Sequence, residues 1–368
     1  METSEKKTRV LIVDDSSFMR KVLDEIIRAD FNMEVVGQAK DGHEALALAA
    51  SLQPDVITMD INMPRMDGIE ATKQIMSDNP RPIVIVSSES REGATGALRA
   101  LELGAIDFVP KPKSAIDLDM KNVSDELLRK LKMAAKVRVV RTAARPFSTS
   151  PVSGTKPPAH VAKLAGSADA PIPLVVIAAS TGGPATLMRL MPRFPKDFAA
   201  AIVLVQHMPA AFTSQLSVQL AEVSQLRVKE AEANEPMRAG TCYVCPGSHH
   251  LKISAKGCLT LDDGPRVNGY RPCADVTFES AAAYGREHVV GVVLTGMGND
   301  GALGVQSVKI KRGRVLAQDE ASSVIFGMPA EAIRTGVVDQ VVGIDEMYSA
   351  IEKYVDLIDN STQPVGLR

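Results

Sequence analysis

The sequence has no tryptophan, few aromatic residues of any kind and only four cysteines in 368 residues. So few cysteines in a chain of this length exclude the disulfide framework that holds small secreted domains together. No apolar run approaches the roughly 20 residues that cross a bilayer as a helix, and the charged start METSEKKTRV does not resemble a signal peptide. These absences predict a cytoplasmic protein that does not insert into a membrane.

An excess of either charge is also lacking, because 42 Lys and Arg stand against 44 Asp and Glu, for a net charge of -2. This balance argues against a nucleic-acid partner held by bulk positive charge and leaves only a local basic patch open. The apolar fraction of 45% is ordinary for a globular protein. A chain of this length usually exceeds one core, so two domains are expected.

Short apolar runs alternate with helix-period segments from Thr8 to about Met120. The runs are RVLIVDD, MEVVGQA, DVITMD, PIVIVSS and AIDFVPKP. A strand followed by a helix, repeated five times, predicts a doubly wound parallel sheet over residues 8–122. A further helix is expected from Val123 to Val137. The Pro-, Ser- and Ala-rich stretch after it has too few large apolar residues to fold alone, so residues 123–171 are predicted to be a helix and a flexible linker.

A second alternating pattern begins at Ile172 and predicts another doubly wound α/β domain over residues 172–360. Its predicted strands are IPLVVIAAS, AAIVLVQH, HVVGVVLTG and RVLAQD. Helices are expected after Pro184, after Phe212, at VTFESAAAYGRE, after Gly301 and at IDEMYSAIEKYVDLI. The stretch GTCYVCPGSHHLKISAKGCLTLDD predicts a β-hairpin inserted into this pattern.

Five polar side chains follow the strand ends of the first domain: Asp14, Asp15, Asp60, Ser87 and Lys111. The carboxyl ends of parallel strands meet at one edge of the sheet, where open α/β folds bind ligands. Each residue alone is better explained as a helix cap, but five in this order argue for a site. Clustered carboxylates suit Mg²⁺, and one of them, beside a lysine, can accept a phosphoryl group.

The runs LIVDDS, DVITMDINMPRMDG, IVIVSS and ALELGAIDFVPKP resemble a response-regulator receiver domain. The resemblance implies a flavodoxin-like doubly wound sheet, with Asp60 as the phosphoacceptor. It also implies that Asp14 and Asp15 help Asp60 to hold Mg²⁺, and that Ser87 and Lys111 are the switch hydroxyl and lysine.

A second constellation begins in VVIAASTGGP, where Ser180 follows a predicted strand and two glycines allow a sharp turn into a helix. His207 in QHMP and Asp300 in GMGNDGA follow two further strands. A serine, a base and an orienting carboxylate at one sheet edge can form a nucleophilic triad, whatever their chain order. The glycine-rich loop, with Thr181 at the helix start, is the candidate oxyanion hole. A phosphate or dinucleotide site is the alternative for such a turn.

The motifs ASTGG, QHMP, GMGNDGA and SSVIFGMPAEA resemble the catalytic domain of the chemotaxis protein-glutamate methylesterase (CheB) family. The resemblance implies a Ser180, His207 and Asp300 triad, with the Met297 backbone at the oxyanion and no cofactor for the esterase reaction. The implied substrates are γ-glutamyl methyl esters on cytoplasmic chemoreceptor helices, and glutamine deamidation is expected as well. A chemotaxis histidine kinase is the implied phosphodonor, and phosphorylation is expected to uncover the active-site cleft.

Cys242 and Cys245 form a C-x-x-C motif with His249 and His250 close behind. A zinc site is one interpretation, but no second ligand pair follows at finger-like spacing, which favours buried packing residues.

Three other residues, taken singly, are predicted to have structural roles. Cys258 and Cys273 are isolated and are expected to pack in the interior. Arg271 is expected to be an exposed loop residue, with a place in the cleft as the alternative.

Two other function classes compete with the esterase. A receiver joined to a non-catalytic nucleotide- or metabolite-binding module would need neither His207 nor Asp300. A DNA-binding regulator is disfavoured because the second half lacks a basic helix-turn-helix.

Overall fold

The computed structural model describes residues 6–111, 120–137 and 171–361 of the chain. The chain divides into two compact units, Met1–Thr149 and Ser150–Arg368. The division falls inside the predicted linker, most of which lies outside the described residues. The domain boundaries deduced from the sequence therefore stay predictions.

In the described part of the first unit, five parallel strands form a sheet in the order β2-β1-β3-β4-β5. The elements are β1 (Thr8–Val13), α1 (Ser17–Arg28), β2 (Met33–Ala39), α2 (Gly42–Leu52), β3 (Val56–Met59), α3 (Gly68–Asp78), β4 (Ile83–Ser87), α4 (Arg91–Glu102), β5 (Asp107–Pro110) and α5 (Met120–Ala134). This strand order is that of a flavodoxin-like sheet, whose crevice opens beyond the carboxyl ends of β1 and β3. The predicted fold of this half is confirmed.

Helix α5 begins and ends three residues earlier than the sequence predicted. It packs on the first sheet through Leu127 and Leu131, which are almost completely buried. Lys130 Nζ donates to the carbonyl oxygen of Phe108 at 2.7 Å and pairs with Asp107 at 3.1 Å. This helix was predicted to belong with the linker. In the structure it belongs to the first unit, because its apolar face completes the packing around β5.

In the described part of the second unit, seven parallel strands form a sheet in the order β14-β13-β12-β6-β7-β9-β8. The strands are β6 (Leu174–Ala179), β7 (Ala201–Gln206), β8 (Arg227–Glu230), β9 (Thr241–Val244), β10 (His250–Ile253), β11 (Leu259–Asp262), β12 (Val289–Val293), β13 (Arg314–Gln318) and β14 (Gln340–Val342), with β10 and β11 pairing as an antiparallel hairpin outside that sheet.

Helices cover the second sheet, and those predicted from the sequence begin close to the expected residues. They are α6 (Gly183–Leu190), α7 (Ala210–Val223), α8 (Ala274–Gly285), α9 (Ala302–Ile310), α10 (Met328–Arg334) and α11 (Ile344–Ser361), with short 3-10 helices at Met191–Arg193 and Arg286–His288. The core holds the apolar side chains of β6, β7 and β12 together with Phe278 of α8. The second doubly wound α/β domain is confirmed.

The inserted hairpin is confirmed, but it is shorter than predicted. Only β10 and β11 form it, whereas β9, at the start of the predicted stretch, is a strand of the main sheet. All four residues of β9 are buried, as expected for a parallel strand covered on both faces. Two strands, β8 and β14, and helix α10 were not predicted because they are short and the strands are only partly buried.

No helix in the described ranges is both long enough and apolar enough to cross a bilayer.

Candidate phosphorylation and active sites

Lys111 joins two buried carboxylates at the carboxyl edge of the first sheet. Its Nζ lies 2.8 Å from Asp14 Oδ2 and 2.9 Å from Asp60 Oδ2. Asp14 directly follows β1 and Asp60 directly follows β3, which are neighbours in the sheet. Asp15 is exposed, and ligand atoms of all three carboxylates lie within 4.8 Å of one another. The three acidic residues and the lysine singled out from the sequence thus form one cluster.

Burial raises the pKa of Asp60 above its ordinary value, and the nearby charge of Asp14 raises it further. The hydrogen bond from Lys111 opposes this shift without cancelling it. Burial alone would lower the pKa of Lys111, but its bonds to both carboxylates outweigh burial and raise it. Three hard oxygen donors in mutual repulsion are a ligand set that fits Mg²⁺, since a divalent cation relieves that repulsion.

Helix capping does not explain these residues. The side chains that cap α1, α3 and α4 are those of Ser16, Asp67 and Ser90. Asp60 instead uses one oxygen to accept the amide of Ile61 at 2.8 Å and the other to meet Lys111.

Ser87 is tied to the lysine through the backbone. The Lys111 amide donates to the carbonyl oxygen of Ser87 at 2.7 Å, where β4 and β5 end side by side. The Ser87 hydroxyl is buried and donates to the carbonyl oxygen of Gly93 at 3.0 Å. A loop held by one hydroxyl can be released when that hydroxyl changes partner.

Ser180 lies at the tip of β6 on a turn that only glycine fits. Gly182 has φ +77°, and an added Cβ there would lie 2.5 Å from Val324. A Cβ on Gly183 would lie 2.0 Å from the side-chain oxygen of Gln206. Helix α6 begins at once, and the Gly183 amide donates to the carbonyl oxygen of Ser180 at 2.8 Å. The serine is therefore placed beside a helix N-terminus, where developing negative charge is stabilised.

His207 occupies the position next to Ser180 on the neighbouring strand. The register of β6 and β7 ends at Ala179 and Gln206, so Ser180 and His207 are the following residues on each strand. His207 Nε2 lies 2.7 Å from Asp300 Oδ2. Its Nδ1 is buried and has no hydrogen-bond partner among the described residues. Nδ1 is therefore the ring nitrogen left to accept a proton.

Asp300 is completely buried and fully hydrogen-bonded. Besides His207, it accepts the amides of Ala274 at 2.6 Å and Asp275 at 2.9 Å, and the Cys273 thiol lies 3.1 Å from its Oδ1. Burial opposes ionisation, but the hydrogen bond and charge of His207 and the two amides outweigh it and lower the pKa of Asp300. The carboxylate thus stays charged and can orient the imidazole.

Met297, a candidate for the oxyanion hole, lies in the loop between β12 and α9 and is buried. Its amide donates no hydrogen bond to any described residue, while the flanking Gly296 amide donates to Ile325. The loop also contains Gly298 at φ +91° and Gly301 at φ +96°. Thr181, the second candidate, is buried just before α6.

Several residues near His207 and Asp300 escaped the sequence analysis. The Tyr270 ring stacks on the His207 imidazole with centroids 4.3 Å apart and planes 16° apart. Gln206 Nε2 donates to the carbonyl oxygen of Ser180 at 2.9 Å. Cys273, predicted to be only a packing residue, is buried but also contacts Asp300, so that prediction was incomplete. A sequence signal for this contact was available in YRPCAD. Helix α8 begins within that run, at Ala274, whereas the helix was predicted to begin two residues later.

Arg271 binds its own loop, with Nη1 donating to the carbonyl oxygens of Asp263 at 2.9 Å and Gly264 at 2.8 Å. Arg271 therefore holds the backbone of its loop. Its side chain is half-buried, whereas the sequence predicted an exposed residue.

Cys242 and Cys245 are completely buried, as the packing interpretation expects. Burial raises the pKa of the Cys242 thiol to about 12, and it raises the pKa of Cys245 as well. Within the described ranges, the side-chain clusters suited to a metal ion do not include either cysteine. His250 Nε2 instead lies 3.0 Å from the carbonyl oxygen of Pro265.

Comparison with known proteins matches both halves of the chain. The family described as CheB methylesterase matches residues 175–351, and the response regulator receiver domain matches residues 10–121. A protein-glutamate methylesterase/protein-glutamine glutaminase of Pyrococcus horikoshii is 44% identical over 356 residues, covering 96% of this chain and 95% of the relative. One of Symbiobacterium thermophilum is 44% identical over 354 residues, covering 95% and 98%.

The chain belongs to the CheB methylesterase family. Membership confirms the resemblance seen in the sequence and the enzyme class expected from it, protein-glutamate methylesterase and protein-glutamine glutaminase. The crystal structure of the Thermotoga maritima CheB methylesterase catalytic domain is 40% identical, with a TM-score of 0.48, and covers 49% of this chain and 97% of that chain.

Proposed function

We propose that the protein is a phosphorylation-activated serine esterase that hydrolyses γ-glutamyl methyl esters on the cytoplasmic helices of chemoreceptors and deamidates glutamines there. The observation that carries the catalytic assignment is the 2.7 Å contact between His207 Nε2 and Asp300 Oδ2, at the position beside Ser180. A module that only binds a metabolite needs no such pair. Family membership supports the choice of ester and amide substrates.

In the proposed reaction, Ser180 Oγ attacks the ester carbonyl while His207 Nδ1 takes its proton. Asp300 stabilises the imidazolium that forms. The Met297 amide, together with Thr181 at the start of α6, receives the negative oxygen of the tetrahedral intermediate. His207 returns the proton to the leaving methanol, and water then cleaves the acyl-enzyme by the same route in reverse. With a glutamine side chain, ammonia leaves in place of methanol.

In the proposed control step, the Asp60 carboxylate attacks a phosphoryl group donated by a chemotaxis histidine kinase and forms an acyl phosphate. Lys111 neutralises charge on the transferred oxygens, and Ser87 exchanges its bond to Gly93 for one to a phosphoryl oxygen. Bound to Asp14, Asp15 and Asp60, Mg²⁺ would supply further positive charge at this site.

Phosphorylation is proposed to shift the population toward a form in which receptor helices reach Ser180. The presence of receiver and methylesterase matches in one chain supports this coupling. Receptors with cytoplasmic helices require an enzyme in the cytoplasm, which is the location that the composition predicts.

Ser180→Ala is expected to abolish methanol release from a methylated chemoreceptor, because the proposed mechanism makes Ser180 Oγ the nucleophile that forms the acyl-enzyme. Radiolabelled methanol measures the rate, and acid-quenched samples of the wild type are expected to carry a substrate adduct on the peptide that contains Ser180. Ser214→Ala on α7 is the matched control and should keep the wild-type rate. Methanol release by Ser180→Ala at near wild-type rates would refute the nucleophile assignment.

A further inference from the structure

Two aspartates at the esterase site cap each other's helices. Asp300 precedes α9, but its oxygens accept the amides of Ala274 and Asp275 at the start of α8. Asp275, in the first turn of α8, in turn accepts the amides of Gly301 at 2.9 Å and Gly304 at 2.7 Å at the start of α9. Each helix start therefore supplies the acceptor for the unpaired amides of the other.

The glycines on α9 bring the two helices close together. A Cβ on Gly304 would lie 2.5 Å from Phe278 and 3.0 Å from the Asp275 Cα, so a larger residue would force α8 and α9 apart. Gly301 takes φ +96° between Asp300 and the first turn of α9. Because α8 and α9 are in close contact, a change at the start of α9 shifts the loop that carries Asp300 and Met297.

Capping of α9 requires an acceptor at Asp275 but not a negative charge. Burial raises its pKa to about 6, although the amides of Gly304 and Gly301 oppose the shift. The charge of Asp300 raises it further. A serine or asparagine would satisfy helix amides without placing a second buried carboxylate beside the first.

We propose that Asp275 is a positioning residue for the esterase reaction: by holding the Gly301 and Gly304 amides, it fixes Asp300 at hydrogen-bonding distance from His207. Without that acceptor, both amides would be buried and unpaired, and the first turn of α9 would move to find partners. The residue before that turn is Asp300, so its bond to His207 would lengthen. The inference rests on the proposed serine mechanism.

Two substitutions separate the acceptor from the charge. Both amides end on the same atom, Asp275 Oδ1, so Asp275→Asn retains an oxygen that can accept both while losing the charge. Asp275→Ala removes the acceptor. We expect Asp275→Ala to lower kcat by at least about tenfold with KM within about twofold of wild type, because misplacement of a catalytic group lowers the rate of chemistry more than it weakens binding.

Methanol release by the full-length protein, treated with a small phosphodonor, measures both constants. Asp275→Asn is expected to restore most of the kcat lost in Asp275→Ala. In proton NMR spectra, the low-field resonance of the His207 ring N–H bonded to Asp300 should be present in wild type and Asp275→Asn and lost in Asp275→Ala. Glu279→Ala, which removes an exposed carboxylate from the same helix, is the matched control and should behave as wild type.

Wild-type kcat and an intact low-field resonance in Asp275→Ala would overturn the inference. A loss in Asp275→Asn of about tenfold or more would also overturn it, since that variant keeps the acceptor, and this result can be read even if Asp275→Ala does not fold. An inactive wild-type protein would instead refute the proposed function, so the two failures are distinct.

Discussion

Asp300 is suited to orienting a histidine because each of its oxygens is held by at least two donors. Oδ2 meets His207 and the Ala274 amide, and Oδ1 meets the Asp275 amide and the Cys273 thiol. A carboxylate held in this way stays ionised in spite of complete burial. It can therefore stabilise the imidazolium without competing for the proton of the nucleophile.

The sequence indicated Asp300 through its glycine-rich loop but gave no indication of its donors. A polar residue that follows an apolar strand can be recognised because it stands where a run of apolar residues ends. The amides of Ala274 and Asp275, by contrast, belong to a helix start 25 or more residues away in the chain. Tyr270 was missed for the same reason, because stacking on His207 depends on how a loop folds back and leaves no periodic signal.

Asp60→Asn is expected to stabilise the first unit near neutral pH when no divalent cation is present. The folded-state pKa of Asp60 is raised by burial and by Asp14, so the folded chain holds this proton to higher pH than the unfolded chain does. Ionisation above that pKa therefore lowers the free energy of unfolding. The advantage of Asp60→Asn should shrink as the pH falls toward about 4, where the wild type also carries the proton.

Hydrogen exchange of peptides from β1, compared between the two proteins at each pH, measures this difference. Added Mg²⁺ should increase protection in the wild type and leave Asp60→Asn almost unchanged. Equal protection near neutral pH, or an advantage that grows on acidification, would contradict the electrostatic argument.

At the scale of elements, strands that are covered on both faces were the easiest to predict. The runs LIV, VIT and IVIV, and those of β6, β7 and β12, are almost entirely apolar, are buried and lie in the interior of their sheets. Edge strands β8 and β14 are short and half exposed, so their residues show neither a run nor an alternation. Strand β9 was assigned to the hairpin because it lies close in the sequence to β10 and β11. In the structure it pairs instead with β7 and β8.

Gly183→Ala tests the turn that connects β6 to α6. The new Cβ would lie 2.0 Å from Gln206 Oε1, so the carboxamide must move and give up its 2.9 Å bond to the carbonyl oxygen of Ser180. We expect kcat for methanol release to fall on the order of 10²-fold, because the nucleophile shifts relative to His207. Gly336→Ala controls for loss of a glycine outside the site: its added Cβ meets nothing within 4 Å, although φ +75° strains the backbone of that variant. A Gly183→Ala enzyme with normal kcat would show that the turn tolerates a side chain.

At the scale of the whole molecule, two doubly wound sheets each place their chemistry at the carboxyl edge of parallel strands. This is the common rule of open α/β folds, and it is why strand ends in the sequence singled out Asp60 and Ser180 as candidate site residues. The proposed coupling between Asp60 and Ser180 has no signature in the sequence, since such coupling depends on tertiary surfaces. The coupling of the two sites is therefore a matter for measurement on the intact chain.

The most direct measurement is methanol release from methylated receptor by full-length wild type and Asp60→Asn, each with and without acetyl phosphate and Mg²⁺. The account predicts that the phosphodonor accelerates the wild type severalfold, while Asp60→Asn keeps the unstimulated rate under both conditions. Equal acceleration of both proteins, or no acceleration of either when phosphorylation of the wild type is verified, would contradict a phosphorylation-activated esterase.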